Sequence, residues 1–494
     1  MSRIILVAPP WYRLFGGSFA EMPLGLCALA GYLNARGHEA RVLNADFDPR
    51  VGMREFDQHE MFRAYPEYRR VLSEPGHAMW QETVRTIEAM HPDVLGMTAQ
   101  VGSFGSVRMV ASLFKQHNPD IPVVVGGPMA SIAPEECLAA KAFDYVVHGE
   151  GEIPLAGLVE ALRDGRDPAT VPGLALRRDG IVVVTERPEP IQDLDSLPVP
   201  DREALMGVQD FPSEGLGMLF TARGCPFRCA YCAASSVWGR QVRFRSVPKI
   251  LEEMTIVAER WGLRRFTFKD DTFTLRRDRT RELCRGMLRQ LPGITWSCLT
   301  RADCVDEELV RLMARAGCRH VELGLESGCP EVLEKIGKGE TVEQVGRAVG
   351  WFRRAGVATA LNIIVGFPGE TPEQMRQSRD AALRMRPSRI LVSLLAPYPG
   401  TQISRELHKV EPERPEIPWE DYFHASAASQ RLKNDPAFAS TTSEIFAVVE
   451  RYNRSSRRRM RDFARLALRH PGIAGQRMRR FVFGAPRQRN GGGR

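Results

Sequence analysis

No stretch of about eighteen apolar residues free of charge occurs in the 494-residue sequence, which excludes a hydrophobic membrane-spanning helix. The opening MSRIILVAPPWYRLFGG carries a short strand-like apolar run where a secretory signal would need a longer one, so a soluble, cytoplasmic protein is expected. Cysteine is too sparse for a disulfide scaffold: ten are spread over the whole length, and the cytosol keeps thiols reduced. Seven of them, Cys27, Cys137, Cys284, Cys298, Cys304, Cys318 and Cys329, stand singly and are expected as small buried hydrophobes. Internal repeats are missing, and so are the paired C-x₂-C units of a structural zinc site.

What is present is basic, but only locally. The formal charge is +8, yet Ser455–Arg494 alone holds twelve arginines and one aspartate, a net of +11, so the rest is slightly acidic. The tail reads as an interaction arm or a solvated extension. Its arginines lack a regular interleaving of aromatics, with Phe463, Phe481 and Phe483 the ones nearby, which argues against a nucleic-acid partner bound by base stacking.

Along residues 1–165, apolar β-rich runs at 3–8, 40–43, 94–98, 122–125 and 145–147 alternate with helical spacing at 24–35, 80–90, 107–116 and 154–162. This alternation predicts a parallel, doubly wound sheet. Residues 166–212, rich in Pro, Gly and Asp, read as a linker with one hairpin (174–177 and 181–185). A second alternation over 213–410 has strands near 218–222, 266–269, 294–298, 320–324, 359–365 and 390–395. Six β/α steps fit a partial TIM-like barrel, whose chemistry sits at the C-terminal strand ends. Residues 411–494 turn helical and Arg-rich.

After the first barrel strand, TARGCPFRCAYC sets Cys225, Cys229 and Cys232 in C-x₃-C-x₂-C spacing. Three thiolates hold three irons of a [4Fe–4S] cubane and leave the fourth iron open for an inner-sphere ligand. A zinc knot would ask for a fourth Cys or His. With Tyr231 just before the last cysteine, the segment resembles the radical S-adenosylmethionine (SAM) superfamily. The resemblance implies that SAM chelates the open iron and is cleaved there to a 5′-deoxyadenosyl radical.

Later motifs at strand ends agree with it. FKDDTFT offers Asp270 and Asp271 to the SAM ammonium by a charge-assisted hydrogen bond, or one of them caps the next helix. The resemblance implies that Arg301 faces the SAM carboxylate, that Glu326 and Ser327 in VELGLESG meet its ribose or methionine, and that Gly366 and Gly369 in GFPGET lie beside the adenine.

Residues 1–165 resemble the flavodoxin-like (Rossmann-like) cobalamin-binding domain fused to many radical SAM enzymes, through PLGLCALAGYLNARGHEARVLNAD, TAQVGSFGSV, VVVGGPMASIAPEECL and DYVVHGEGE. Thr98, Gly126 and Gly127 are the expected cobalamin contacts, the glycine pair leaving room for the nucleotide tail. The D-x-H-x-x-G of histidine-ligating cobalamin domains is missing: the corresponding loop is APPWYRLFGGS. No histidine is therefore expected beneath cobalt, and among the nearby ones only His148 is worth a test.

The combination resembles class B radical SAM methyltransferases. It implies a [4Fe–4S] cluster, SAM and cobalamin as cofactors, a flavodoxin or ferredoxin as electron donor, and methyl transfer from methylcobalamin to an unactivated carbon of a small molecule. One SAM would remethylate cob(I)alamin and another would supply the radical. A non-methylating oxidative cyclase of the magnesium-protoporphyrin ester type is the alternative. An RNA methylthiotransferase is disfavoured because a second cysteine triad is missing.

Overall fold

The computed structural model of the protein describes residues 1–51, 58–410 and 434–455. Strands β1 (Arg3–Ala8), β2 (Glu39–Asn44), β3 (Val94–Thr98), β4 (Val123–Gly126) and β5 (Tyr145–Val147) are parallel, in the order β2-β1-β3-β4-β5. That is the flavodoxin-like order, with its switch between β1 and β3. The period-2 geometry of β1 sends Ile4 and Leu6 into one core and Ile5 and Val7 into another. Helices Leu24–Ala35 and Glu152–Asp164 cover the first face; Ala78–Glu88 and Phe104–His117 cover the second.

The hairpin in the segment read as a linker is part of this sheet. Strands β6 (Leu174–Arg178) and β7 (Ile181–Val184) are antiparallel, and β6 pairs with β5. Leu174, Ala175 and Leu176 are buried against the sheet, a tertiary gain that the polar flanks hide. The chain then crosses to the second unit. Arg202, fully buried, donates to the carbonyls of Leu216 (2.9 Å) and Met218 (2.8 Å) and pairs with Glu253 at 3.1 Å.

The second unit starts with β8 (Met218–Leu219), continues through a two-stranded antiparallel ribbon of β9 (Ala222–Arg223) and β10 (Arg243–Phe244), and then builds β11 (Arg265–Phe268). Strands β12 (Thr295–Thr300), β13 (Cys318–Glu326), β14 (Ala358–Val365) and β15 (Arg389–Leu394) complete a six-stranded parallel sheet in the order β15-β14-β13-β12-β11-β8. Every strand is in sequence order, as in an open (β/α)₆ barrel. The helix Pro436–Arg454 covers the β15 edge, where Asn453 bonds both the N–H (3.0 Å) and the carbonyl (2.8 Å) of Ile390.

One apolar core runs without interruption from Ile4 and Leu6 through Leu205, Phe211 and Leu216 to the barrel interior. Phe47 and Phe211 meet at 4.0 Å between the two units. The seven scattered cysteines are all buried. Among the described residues no helix is long and apolar enough to cross a membrane. The Arg-rich tail lies outside the described residues.

Candidate active site between two units

The cysteine loop leaves β9 and returns through β10, so both of its stems are fixed by the ribbon. Its three thiols are free; Cys225 and Cys229 are half-buried and Cys232 is exposed. A turn bond from Cys232 N–H to the Cys229 carbonyl (3.1 Å) bends the C-x₂-C segment. Lost hydration raises the Cys225 thiol and pushes that of Cys232 up to about 11, with neighbouring negative charge adding to both. Arg301 supplies a cation near Cys229, with its Nη1 3.9 Å from Sγ. No three His, Cys, Asp or Glu side chains among the described residues converge on a single ion.

At the strand ends beside this loop, Asp271 has its carboxyl raised to about 6 by burial and by Asp270. Its negative charge is felt at Cys225 and Cys232. Asp270 does not share that outlook. Its oxygens accept from the N–H groups of Thr221 (2.6 Å) and Ala222 (3.1 Å) and from the Thr221 hydroxyl, so it fastens the end of β11 to the base of the cysteine loop.

Glu326 ends β13 in the left-handed region, φ 62°, at a register shift between β13 and β14. This backbone turns its carboxylate toward Tyr231, whose phenol is raised by burial and then by that charge. Lys338 Nζ stands 3.2 Å from both Glu326 and Glu340, and Arg301 lies 3.6 Å from Glu340. Arg301 is otherwise held by Asp303 (2.9 and 2.8 Å), by the Lys338 carbonyl (2.8 Å) and by the Phe227 ring at 3.7 Å. It is thus packed against the cysteine loop at Phe227 and Cys229. Gly324 makes space for this network, because a Cβ there would meet Glu326 Oε1 at 2.0 Å and Lys338 Nζ at 2.8 Å.

The Ser327 hydroxyl is fully buried against Ser378 Oγ (3.1 Å) and the Cys329 N–H (3.2 Å), where it shapes the strand end. Gly366 and Gly369 have φ of 94° and 76°, and Glu370 holds the Gly366 N–H at 2.6 Å. Phe367 packs edge-on to Tyr231 at 6.0 Å, bringing the GFPGE turn against the cysteine loop.

A cavity of about 630 Å³ opens at the β1/β3 switch and reaches the barrel mouth at Phe220, Arg223, Trp238 and Lys269. Thr98, Gly126 and Gly127 all line it, as expected of a sheet-end crevice. Gly127 has φ 94°, and a Cβ there would meet Thr98 Oγ1 at 2.7 Å and the Ala99 carbonyl at 3.0 Å, so the crevice depends on the bare backbone. Trp11 and Tyr12 of the APPWYRLFGGS loop line it too, and among the described residues that line it none is a histidine. His148 is buried between two lining residues, Val147 and Gly149, and its backbone N–H donates to the Gly173 carbonyl at 3.0 Å, next to the hairpin. The crevice has room for a bulky tailed cofactor.

Lys338, Glu340, Glu150 and Glu152 went unnoticed in the sequence. Glu150 and Glu152 sit in HGEGE and the other pair in GKGE, charged glycine-rich turns that look like solvated loops. Their burial is set by partners distant in sequence.

Residues 219–382 match the radical SAM superfamily and residues 19–159 match the B12 binding domain. An uncharacterized methyltransferase of Pyrococcus horikoshii is 33% identical over 66% of this chain and 71% of its own length. The chain belongs to the cobalamin-binding radical SAM methyltransferase family. Its cofactors are those of the family, a [4Fe–4S] cluster, SAM and cobalamin. The anaerobic magnesium-protoporphyrin IX monomethyl ester cyclase of Rubrivivax gelatinosus is 30% identical over 66% of this chain and 60% of the cyclase. In fold, the chain is similar to the radical SAM methyltransferase TsrM from Kitasatospora setae with cobalamin and a [4Fe–4S] cluster bound. The TM-score is 0.67, with 24% identity over 85% of this chain and 76% of that one.

Proposed function

We propose that this enzyme methylates an unactivated carbon of a small molecule held between the two units, in the cytoplasm, with electrons from a flavodoxin- or ferredoxin-like donor. The observation that carries this reading is a cavity that runs from the β1/β3 switch to Arg223 and Trp238, which flank the cysteines in sequence. Cys225, Cys229 and Cys232 would hold the cluster, while Asp271, Glu326, Gly366 and Gly369 would hold SAM. Thr98, Gly126 and Gly127 would hold cobalamin. When bound, the cluster with SAM supplies hydrogen abstraction and the corrinoid supplies a methyl group. The chain's part is to orient and to exclude water: Glu326 and Asp271 offer carboxylates to an ammonium or ribose hydroxyl, and the glycines let flat groups approach backbone. Residues 1–165 and 213–410 are the units proposed for the two cofactors, with 166–212 joining them and 411–494 following.

Two experiments test this. Purified anaerobically with cobalamin supplied, the enzyme should release S-adenosylhomocysteine as well as 5′-deoxyadenosine from SAM. Release of 5′-deoxyadenosine alone would transfer the assignment to a cyclase-type reaction. Electron paramagnetic resonance of the bound cob(II)alamin should show cobalt lines without the threefold splitting of an axial nitrogen, and His148→Ala should leave the spectrum unchanged. Nitrogen splitting in the wild type that His148→Ala removed would refute the cavity placement.

A further inference from the structure

We propose that Glu150 and Glu152 are positioning residues that fix the cysteine loop against the cobalamin-binding unit, and so set how the two cofactors face each other. The inference rests on the two-cofactor reading above. In the ribbon, Arg223 of β9 and Arg243 of β10 are directly paired, one at each stem of the loop that carries all three cysteines. Both guanidinium groups reach across to the HGEGE turn. Arg223 meets Glu152 at 2.5 Å and Glu150 at 3.6 Å, and Arg243 meets Glu150 at 2.5 Å. The four side chains are between 3% and 11% exposed, so the pairs are shielded from water and salt.

The rest of the loop is tied down in the same place. Glu150 also accepts from the Ile191 N–H (2.9 Å), and Arg243 donates to the Ile191 carbonyl (2.7 Å). Arg223 lies over the Trp238 ring at 5.6 Å, and Arg187 donates to the carbonyls of Ser236 (3.3 Å) and Val237 (2.5 Å). Gly149, at φ 86°, allows the turn, and a Cβ there would meet Arg187 Nε at 3.0 Å. Glu150, Glu152, Arg223 and Trp238 all line the cavity. Two carboxylates of the first unit therefore grip both stems of the loop in the second. Arg223 forks onto both oxygens of Glu152 (2.5 and 3.3 Å) while Arg243 holds Glu150 through one nitrogen, and these dehydrated pairs give a stiff joint. Stiffness matters because a misplacement of about 1 Å between reacting groups costs on the order of 100-fold in rate.

The test uses holoenzyme reconstituted with iron, sulfide and cobalamin, and reads the distance between the reduced cluster and cob(II)alamin by pulsed electron paramagnetic resonance. Wild type should give one narrow distance distribution. The double variant Glu150→Gln/Glu152→Gln should keep both cofactors and give a broadened or displaced distribution, with Arg223→Lys intermediate because the charge stays and the fork is lost. A double variant that binds both cofactors with the wild-type distribution overturns the proposal. If the double variant cannot hold its cluster, Glu152→Asp is measured instead; its shorter reach should displace the distribution, and an unchanged one overturns the proposal equally. Wild type that takes up no corrinoid would overturn the two-cofactor reading itself, a result distinct from the other outcomes.

Discussion

Replacing Cys225, Cys229 and Cys232 together by alanine should abolish iron and sulfide binding and reduce 5′-deoxyadenosine formation to background, while cobalamin content stays that of the wild type. The first half follows from ligand chemistry. A cubane is held by thiolates, and the other seven cysteines are buried and stand singly in the sequence, outside the loop. The second half follows from topology, since none of the three cysteines lines the cavity at the β1/β3 switch. Iron and sulfide analysis, absorption of the bound corrinoid and chromatography of SAM products read all three quantities on one preparation. A triple variant that kept iron, sulfide and SAM cleavage would remove the basis for the cluster assignment. Loss of cobalamin together with the cluster would show that the loop and the crevice do not load separately.

How much was legible in the sequence depended on whether a signal was periodic or directional. Each of the six barrel strands lies within a few residues of its expected position, because buried parallel strands are short apolar runs and the motifs mark their ends. The parallel, doubly wound sheet follows from strand–helix alternation in the same way, while the order β2-β1-β3-β4-β5 is a tertiary choice that alternation leaves open. Orientation is another matter. Asp270 and Asp271 are adjacent in sequence, yet Asp270 fastens Thr221 while Asp271 lies close enough for its charge to raise the Cys225 and Cys232 thiols. Ser327 and Arg301 stand where expected along the chain, with their polar atoms committed to Ser378, Asp303 and the Lys338 carbonyl. Partners 37 or 51 residues away leave no local trace. The hairpin β6/β7 was visible as a hairpin, but its docking on β5 depended on an edge that no local pattern announces.

Lys338→Met should destabilise the barrel by about 3–5 kcal/mol, the usual cost of removing one partner from a buried ion-pair network. Lys338 Nζ lies 3.2 Å from Glu326 and 3.2 Å from Glu340, and the three side chains are at most 10% exposed, so water cannot replace the lost ammonium. The lysine is raised above its ordinary pKa: burial alone would lower it, and the two carboxylates more than offset that. Glu340 keeps some support from the N–H groups of Ala302 (2.6 Å) and Asp303 (3.1 Å) and from Arg301 at 3.6 Å. Glu326 keeps only the Tyr231 side, on a backbone already in the left-handed region. Most of the loss should therefore be the cost of an unpaired Glu326 carboxylate. The double variant Lys338→Met/Glu326→Gln tests this, because neutralising Glu326 removes the stranded charge. Urea unfolding should give a smaller loss for the double variant than for Lys338→Met alone, a coupling that independent sites would not produce. If the two losses simply added, or if Lys338→Met shifted the unfolding midpoint by no more than an exposed ion pair does, roughly 0–1 kcal/mol, Glu326 would be held by its strand and not by the lysine.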